Sequence, residues 1–163
     1  MEISISQTKP EIAQQAITAA LHELDRLHRQ LHPWQTDSEL SQVNRAFQGG
    51  QPITLSAELT ELIRHSQQFE QLSDGLFNPA IGLLIRAWGF QQEHAAPAPP
   101  PAATLHALLS PPPSTQAIEL NGNQAHSHQV RIALDFGGMA KGWALDRVAQ
   151  ILHQHQVEHA LIN

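Results

Sequence analysis

Residues 130–154, VRIALDFGGMAKGWALDRVAQILHQ, decide how this chain is read. An apolar run ends at Asp135, two glycines and a lysine follow, and Leu145, Val148, Ala149 and Leu152 mark an amphipathic helix. Glycine lets a backbone approach a ligand closely and take positive φ. A helix N-terminus adds unpaired N–H groups and a partial positive charge, which suits phosphate. Lys141 brings a mobile full charge to the same end, and Asp135 could meet a ligand hydroxyl, a ring N–H or a cation. The stretch fits neither the Walker pattern nor GxGxxG. On residue types alone, a glycine-softened strand-to-helix turn and a phosphate loop both remain open.

Working outward, AIELNGNQAHSHQVRIALDF reads as two or three strands turned by Asn121-Gly122, and HALIN as a last strand. The chain starts with the alternating EISIS and then a helical stripe of Ile17, Ala20, Leu21, Leu24, Leu27 and Leu31. Thr8 with Glu11 forms a capping-box pattern, and Pro33 ends the helix. TDSELSQVNR reads as a capped polar surface turn with Ser38, Ser41 and Asn44 on one face. A second helix opens at Ser56 and turns Leu59, Leu62, Ile63 and Phe69 inward, and AIGLLIRAWGF reads as a short, mostly buried helix. Between them, SDGLFNPA is a turn whose Phe77 either plugs the core or lies along an aromatic ligand. Residues 94–116 hold most of the eleven prolines and read as a surface spacer around one short helical piece. Long helices before and after a group of strands predict an α+β fold, a mainly antiparallel sheet packed with helices. Both ends read as cut, the first inside a strand and the last on an apolar run.

Composition narrows the function classes. The 163 residues are 41% hydrophobic and 15% charged, values of a globular chain rather than a disordered one. A net charge of −6 gives no basic field for nucleic acid. Without cysteine there is neither a disulfide nor thiolate chemistry. No run approaches the roughly 20 apolar residues of a membrane span, and MEISISQTKPEI lacks the pattern of a signal peptide. Of the eleven histidines, His153, His155 and His159 crowd the tail, and His155 and His159 at i, i+4 could share a helix face as zinc ligands do. No acidic or cysteine partner completes that set. His126 and His128, on a strand, fare no better.

Taken in order, SELSQVN, SDGLFNPAIGLLIRAWGF and LDFGGMAKGWALDRVAQIL followed by HALIN resemble the ApbE family of FAD:protein FMN transferases. The resemblance implies that residues 1–163 are the N-terminal portion of a flavin transferase domain, with 94–116 a Pro-rich surface excursion inside it. The implied activity is Mg²⁺-dependent transfer of the FMN half of FAD to a Ser or Thr hydroxyl of a target protein, releasing AMP. It also implies site residues. Asn44 matches a polar FAD contact, and Leu76, Phe77 and Asn78 match the loop along the flavin, with asparagine where the family usually has aspartate. Asp135 and Lys141 match FAD-contacting positions, and the Gly138 carbonyl matches a metal ligand. The chemistry suits pyrophosphate cleavage, which needs fixed donors and a cation as charge moves to AMP. The family's following GGD segment, its later aspartate and threonine metal ligands, a downstream histidine and an N-terminal GT-type motif have no counterpart in these residues. The resemblance further implies a periplasmic location, free or held to the membrane by an N-terminal anchor absent here. Two rivals stay open: a non-catalytic FAD binder or FAD pyrophosphatase of the same family, and a His-rich metal- or partner-binding module.

Overall fold

Five short strands and six α-helices run along the described residues, besides one 3-10 turn at Thr115–Ala117. They are β1 (Ile3–Ile5), α1 (Pro10–Leu31), α2 (Glu39–Gln48), β2 (Ile53–Thr54), α3 (Ala57–Leu72), α4 (Gly82–Ala87), α5 (Ala102–Leu109), β3 (Ile118–Asn121), β4 (Gln124–Ser127), α6 (Ala140–Gln154) and β5 (Ala160–Ile162). This computed structural model describes residues 2–91 and 98–162, so His94 to Pro97 of the Pro-rich excursion lie outside the described residues. Among the described residues the ladders between strands are antiparallel, as the mainly antiparallel α+β reading expects, and one isolated bridge, Ile81 with Ala133, is parallel. The chain divides into two compact units, Met1–Leu31 with Gly137–Asn163, and His32–Phe136.

In the first unit β1 pairs with β5, Ile3 opposite Ile162. Ala16 and Ala20 of α1 form a core with Val148, Leu152 and Val157, and Ile3, Ile5 and Ile162 pack against it. Small alanines bring the helices close, while each buried valine or leucine contributes about 1.5–3 kcal/mol. The stripe is rotated from the one expected. Leu21 is exposed, because it lies roughly 110° around the helix from the centre of the Ala16–Ala20–Leu27–Leu31 line. On α6, Leu145 and Ala149 are likewise exposed, leaving Val148 and Leu152 as the buried pair. Nor does Thr8 cap the helix: α1 starts at Pro10, the Lys9 carbonyl accepts from Ala13 N–H, and the Thr8 hydroxyl donates back to the Ser6 carbonyl. Arg26 grips Glu23 with two bonds of 2.8 Å and Arg147 of α6 approaches it at 3.4 Å. The Arg26 hydrogen bond holds the Glu23 carboxyl below its usual range.

In the second unit the expected polar turn at 36–45 is a ten-residue helix, α2. Ser38 caps it by accepting from Ser41 N–H at 3.0 Å, and Leu40, Val43 and Phe47 enter the core. Its polar residues are buried because backbone groups receive them: the Ser41 hydroxyl donates to the Pro33 carbonyl at 2.9 Å. Ser56 caps α3, whose Leu59, Leu62 and Ile63 are buried as expected. Phe69 is not; it is 44% exposed and meets Phe77 edge-to-face at 5.9 Å. The sheet order is β2-β4-β3. Asn121 pairs with Gln124, so the hairpin turns at Gly122-Asn123, one residue later than predicted, and Gly122 takes the positive φ of 62°. Only Gly82 of α4 is fully buried, so that helix is less enclosed than its composition suggests. No residue of α5 is buried, whereas Pro113 and Thr115 just after it are drawn into the core.

Candidate functional site

The strand-like segment 132–136 carries Asp135. Ile132, Ala133, Leu134 and Phe136 are buried around it. Its backbone is held from two sides. On one, the Ala133 carbonyl accepts from Gly82 N–H and Asp135 N–H donates to the Pro79 carbonyl, both at 2.8 Å. On the other, Asn44 replaces a strand: its Nδ2 donates to the Leu134 carbonyl at 2.9 Å and its Oδ1 accepts Leu134 N–H at 2.7 Å. The Asn44 amide is thus spent on positioning the residue before Asp135. Gly82 is required by close approach, since a Cβ there would sit 2.8 Å from the Ala133 carbonyl oxygen.

The turn after α3 uses left-handed backbone at Asp74 and Gly75. Leu76 is 92% exposed and Phe77 half-buried. Ser73 Oγ accepts Phe77 N–H at 2.9 Å, and Asn78 Oδ1 accepts Ala80 N–H at 2.8 Å while its Nδ2 donates to the Pro113 carbonyl at 2.7 Å. Behind the turn lies a buried carboxylate, 7% exposed. Glu70 accepts from the Ser114 hydroxyl at 2.7 Å, Thr115 N–H at 2.8 Å and the Thr115 hydroxyl. The end of the Pro-rich excursion therefore buttresses the Leu76–Phe77 turn. Pro79, one residue after Asn78, is the acceptor that fixes Asp135, so within this unit Asn44, Asn78 and Asp135 belong to one bonded framework.

Gly138 and Lys141 fall in the other unit, at the start of α6. Met139 stands at the N-cap without a side-chain hydrogen bond to the first turn. Gly138 and Lys141 are exposed, and a Cβ on Gly142 would meet nothing within 4 Å. Among the described residues no carboxylate pairs with Lys141. The glycine pair does not use positive φ; the left-handed glycines are Gly50, Gly75, Gly89 and Gly122. What this terminus offers is exposure: Gly138, Lys141 and Gly142 face solvent, and a lysine at a helix start is an arrangement suited to phosphate.

One feature escaped the sequence. A cleft of about 320 Å³ opens beside Asn44 and Ala133, with Trp34, Arg45, Leu83 and Arg86 in its wall. Two guanidiniums and an indole suit an anionic ligand with a ring. Gln91 also lines it, and its Oε1 is buried with no hydrogen-bond partner among the described residues. Arg45 could have been found, since it follows Asn44 in the same helix; nothing local marks Trp34 or Arg86. The tail histidines gather no metal site. α6 ends at Gln154 and Gln156 takes a φ of 59°, so His155 and His159 share no helix face. Among the described residues no three imidazole or carboxylate groups converge as a metal cage.

Comparison with known proteins agrees with the motif order. The family model described as the ApbE family matches residues 1–163. A protein of Rhodobacter capsulatus named FAD:protein FMN transferase is 30% identical over 138 residues, covering 85% of this chain and 26% of its own length. One of the same name from Klebsiella pneumoniae is 34% identical over 130 residues, covering 78% of this chain and 40% of its own. The flavin transferase ApbE structure from Vibrio cholerae superposes with a TM-score of 0.85 at 24% identity, over 97% of this chain and 51% of that one. The ApbE protein of Thermotoga maritima gives 0.81 at 24%, over 97% and 49%. This chain thus spans about a quarter to a half of the length of these proteins, and by a family match running its full length it belongs to the ApbE family.

Proposed function

We propose that this chain supplies part of the FAD site of a flavin transferase that moves FMN from FAD to a Ser or Thr hydroxyl of a target protein and releases AMP. The observation that carries the reading is the start of α6, where Lys141 stands exposed between Gly138 and Gly142 and the Met139 side chain makes no cap hydrogen bond. The FAD pyrophosphate is the anion this terminus would receive. Leu76 and Phe77 offer apolar surface to the flavin ring, Asp135 an acceptor, and Asn44 holds the Asp135 segment in place. In the reaction the target's hydroxyl oxygen bonds to the FMN phosphorus and gives up its proton to solvent, the bond to the bridging oxygen breaks, and AMP leaves with that oxygen. Lys141 and the helix donors would offset the charge gathering there.

For Mg²⁺ the residues present do not form a site. The Gly138 carbonyl is one hard ligand where six are needed, and no cluster of carboxylates accompanies it among the described residues. By the same family reading the protein works in the periplasm, free or membrane-anchored. Among the described residues no helix is long and apolar enough to cross a membrane.

The test is in-gel flavin fluorescence after incubation with FAD, Mg²⁺ and a flavinylatable target. A chain extended to its relatives' length should give a fluorescent target band, and the 163 residues alone none. FAD bound by the extended chain without a band would favour a non-catalytic FAD-binding protein instead.

A further inference from the structure

Three donor side chains share the outer face of the β3–β4 hairpin. Glu119 and His126 are direct cross-strand partners, and His128 stands two residues beyond His126. Side chains alternate along a strand, so the two imidazoles share a face while Ser127 turns inward and is buried. His128 lies one residue past β4, yet its N–H donates to the Ala117 carbonyl at 2.9 Å, which keeps its backbone in the ladder's register. Its Nε2 is 3.3 Å from Glu119 Oε2, and the His126 and His128 rings meet edge-to-face with centroids 5.1 Å apart. Among the described residues no lysine or arginine pairs with Glu119.

We propose that this hairpin binds one zinc-class divalent cation through His126, His128 and Glu119, with water in the fourth position. Zinc bonds of about 2.0–2.2 Å in a tetrahedron set neighbouring donors about 3.3–3.5 Å apart. The His128–Glu119 contact already has that length. The three groups do not yet converge as placed. The proposal requires the His126 side chain to rotate toward the Glu119–His128 pair, from a strand whose register the ladder fixes. Two imidazoles and a carboxylate form the ligand set of open zinc sites. Imidazole is a poor ligand for Mg²⁺, so the site is distinct from any metal used in flavin transfer.

Calorimetric titration of the metal-stripped 163-residue chain with Zn²⁺ tests this, using His126→Gln, His128→Gln and Glu119→Gln with circular dichroism to confirm folding. One equivalent should bind, and each histidine variant should lose about tenfold or more in affinity. The melting temperature should rise with Zn²⁺ in the unaltered chain more than in the histidine variants. Replacing His153, His155 and His159 together with Gln should leave the binding unchanged. Absence of binding by the unaltered chain at submillimolar Zn²⁺ overturns the site. So does one equivalent retained in the His126→Gln, His128→Gln double variant.

Discussion

Residues 132–136 and 137–142 adjoin in sequence, yet the first is mostly buried and the second largely exposed. In the first, the Leu134 N–H and carbonyl, the Ala133 carbonyl and Asp135 N–H all meet partners within 2.9 Å. In the second, the helix opens without a side-chain cap, and Gly138, Lys141 and Gly142 are exposed. Buried backbone must be satisfied inside the protein, so it consumes side chains such as Asn44. An exposed helix start can leave its donors to water until a ligand displaces it. A polar residue in a family motif can thus also hold backbone, as Asn44 holds Leu134.

The sharpest way to break this contrast is Asn44→Ala. It strands both polar groups of Leu134 in a buried position, and at about 1–3 kcal/mol for each group the chain should lose about 2–6 kcal/mol in urea unfolding. A loss below about 0.5 kcal/mol, the range of an ordinary surface substitution, would show that the clamp is dispensable. Next is Gly82→Ala, which drives a Cβ against the Ala133 carbonyl oxygen. Overpacking against backbone should cost about 1–3 kcal/mol. Gly142→Ala should go the other way. Its Cβ would meet open space in the first turn of α6, so helix propensity should add about 0.5–1 kcal/mol. Thermal unfolding of the two glycine variants side by side compares the regions directly, and equal signs would erase the distinction.

Much of the architecture was legible, because α1 and α3 carry their apolar residues at helical period and Ser56 sits where a cap belongs. α2 was not. Ser38, Ser41 and Asn44 look solvated in sequence, and the backbone groups that bury Asn44 lie 90 residues away. A separation of 44 and 45 residues likewise hid the Glu70 buttress, whose partners Ser114 and Thr115 follow a proline run that reads as spacer. The inward Phe69 was misjudged because its neighbour across the turn, Phe77, offers a ring to meet outside the core. Of the site, the α6 start and Asp135 stood out by their own chemistry, while Leu76 to Asn78 and Asn44 rested on family resemblance. The cleft residues Trp34 and Arg86 come together only through the fold.

The central proposal is that Lys141, at the exposed start of α6, meets the FAD pyrophosphate, while Asn44 holds the Leu134 backbone. The direct test is Lys141→Ala in a chain extended to its relatives' length, with FAD affinity from calorimetry and stability from urea unfolding on the same samples. Losing a charge-assisted bond of about 1.5–3 kcal/mol should weaken FAD about ten- to a hundredfold. The unfolding curve should stay within about 0.5 kcal/mol, as for an exposed residue. Unchanged FAD affinity in Lys141→Ala would contradict the account and remove this terminus from the site.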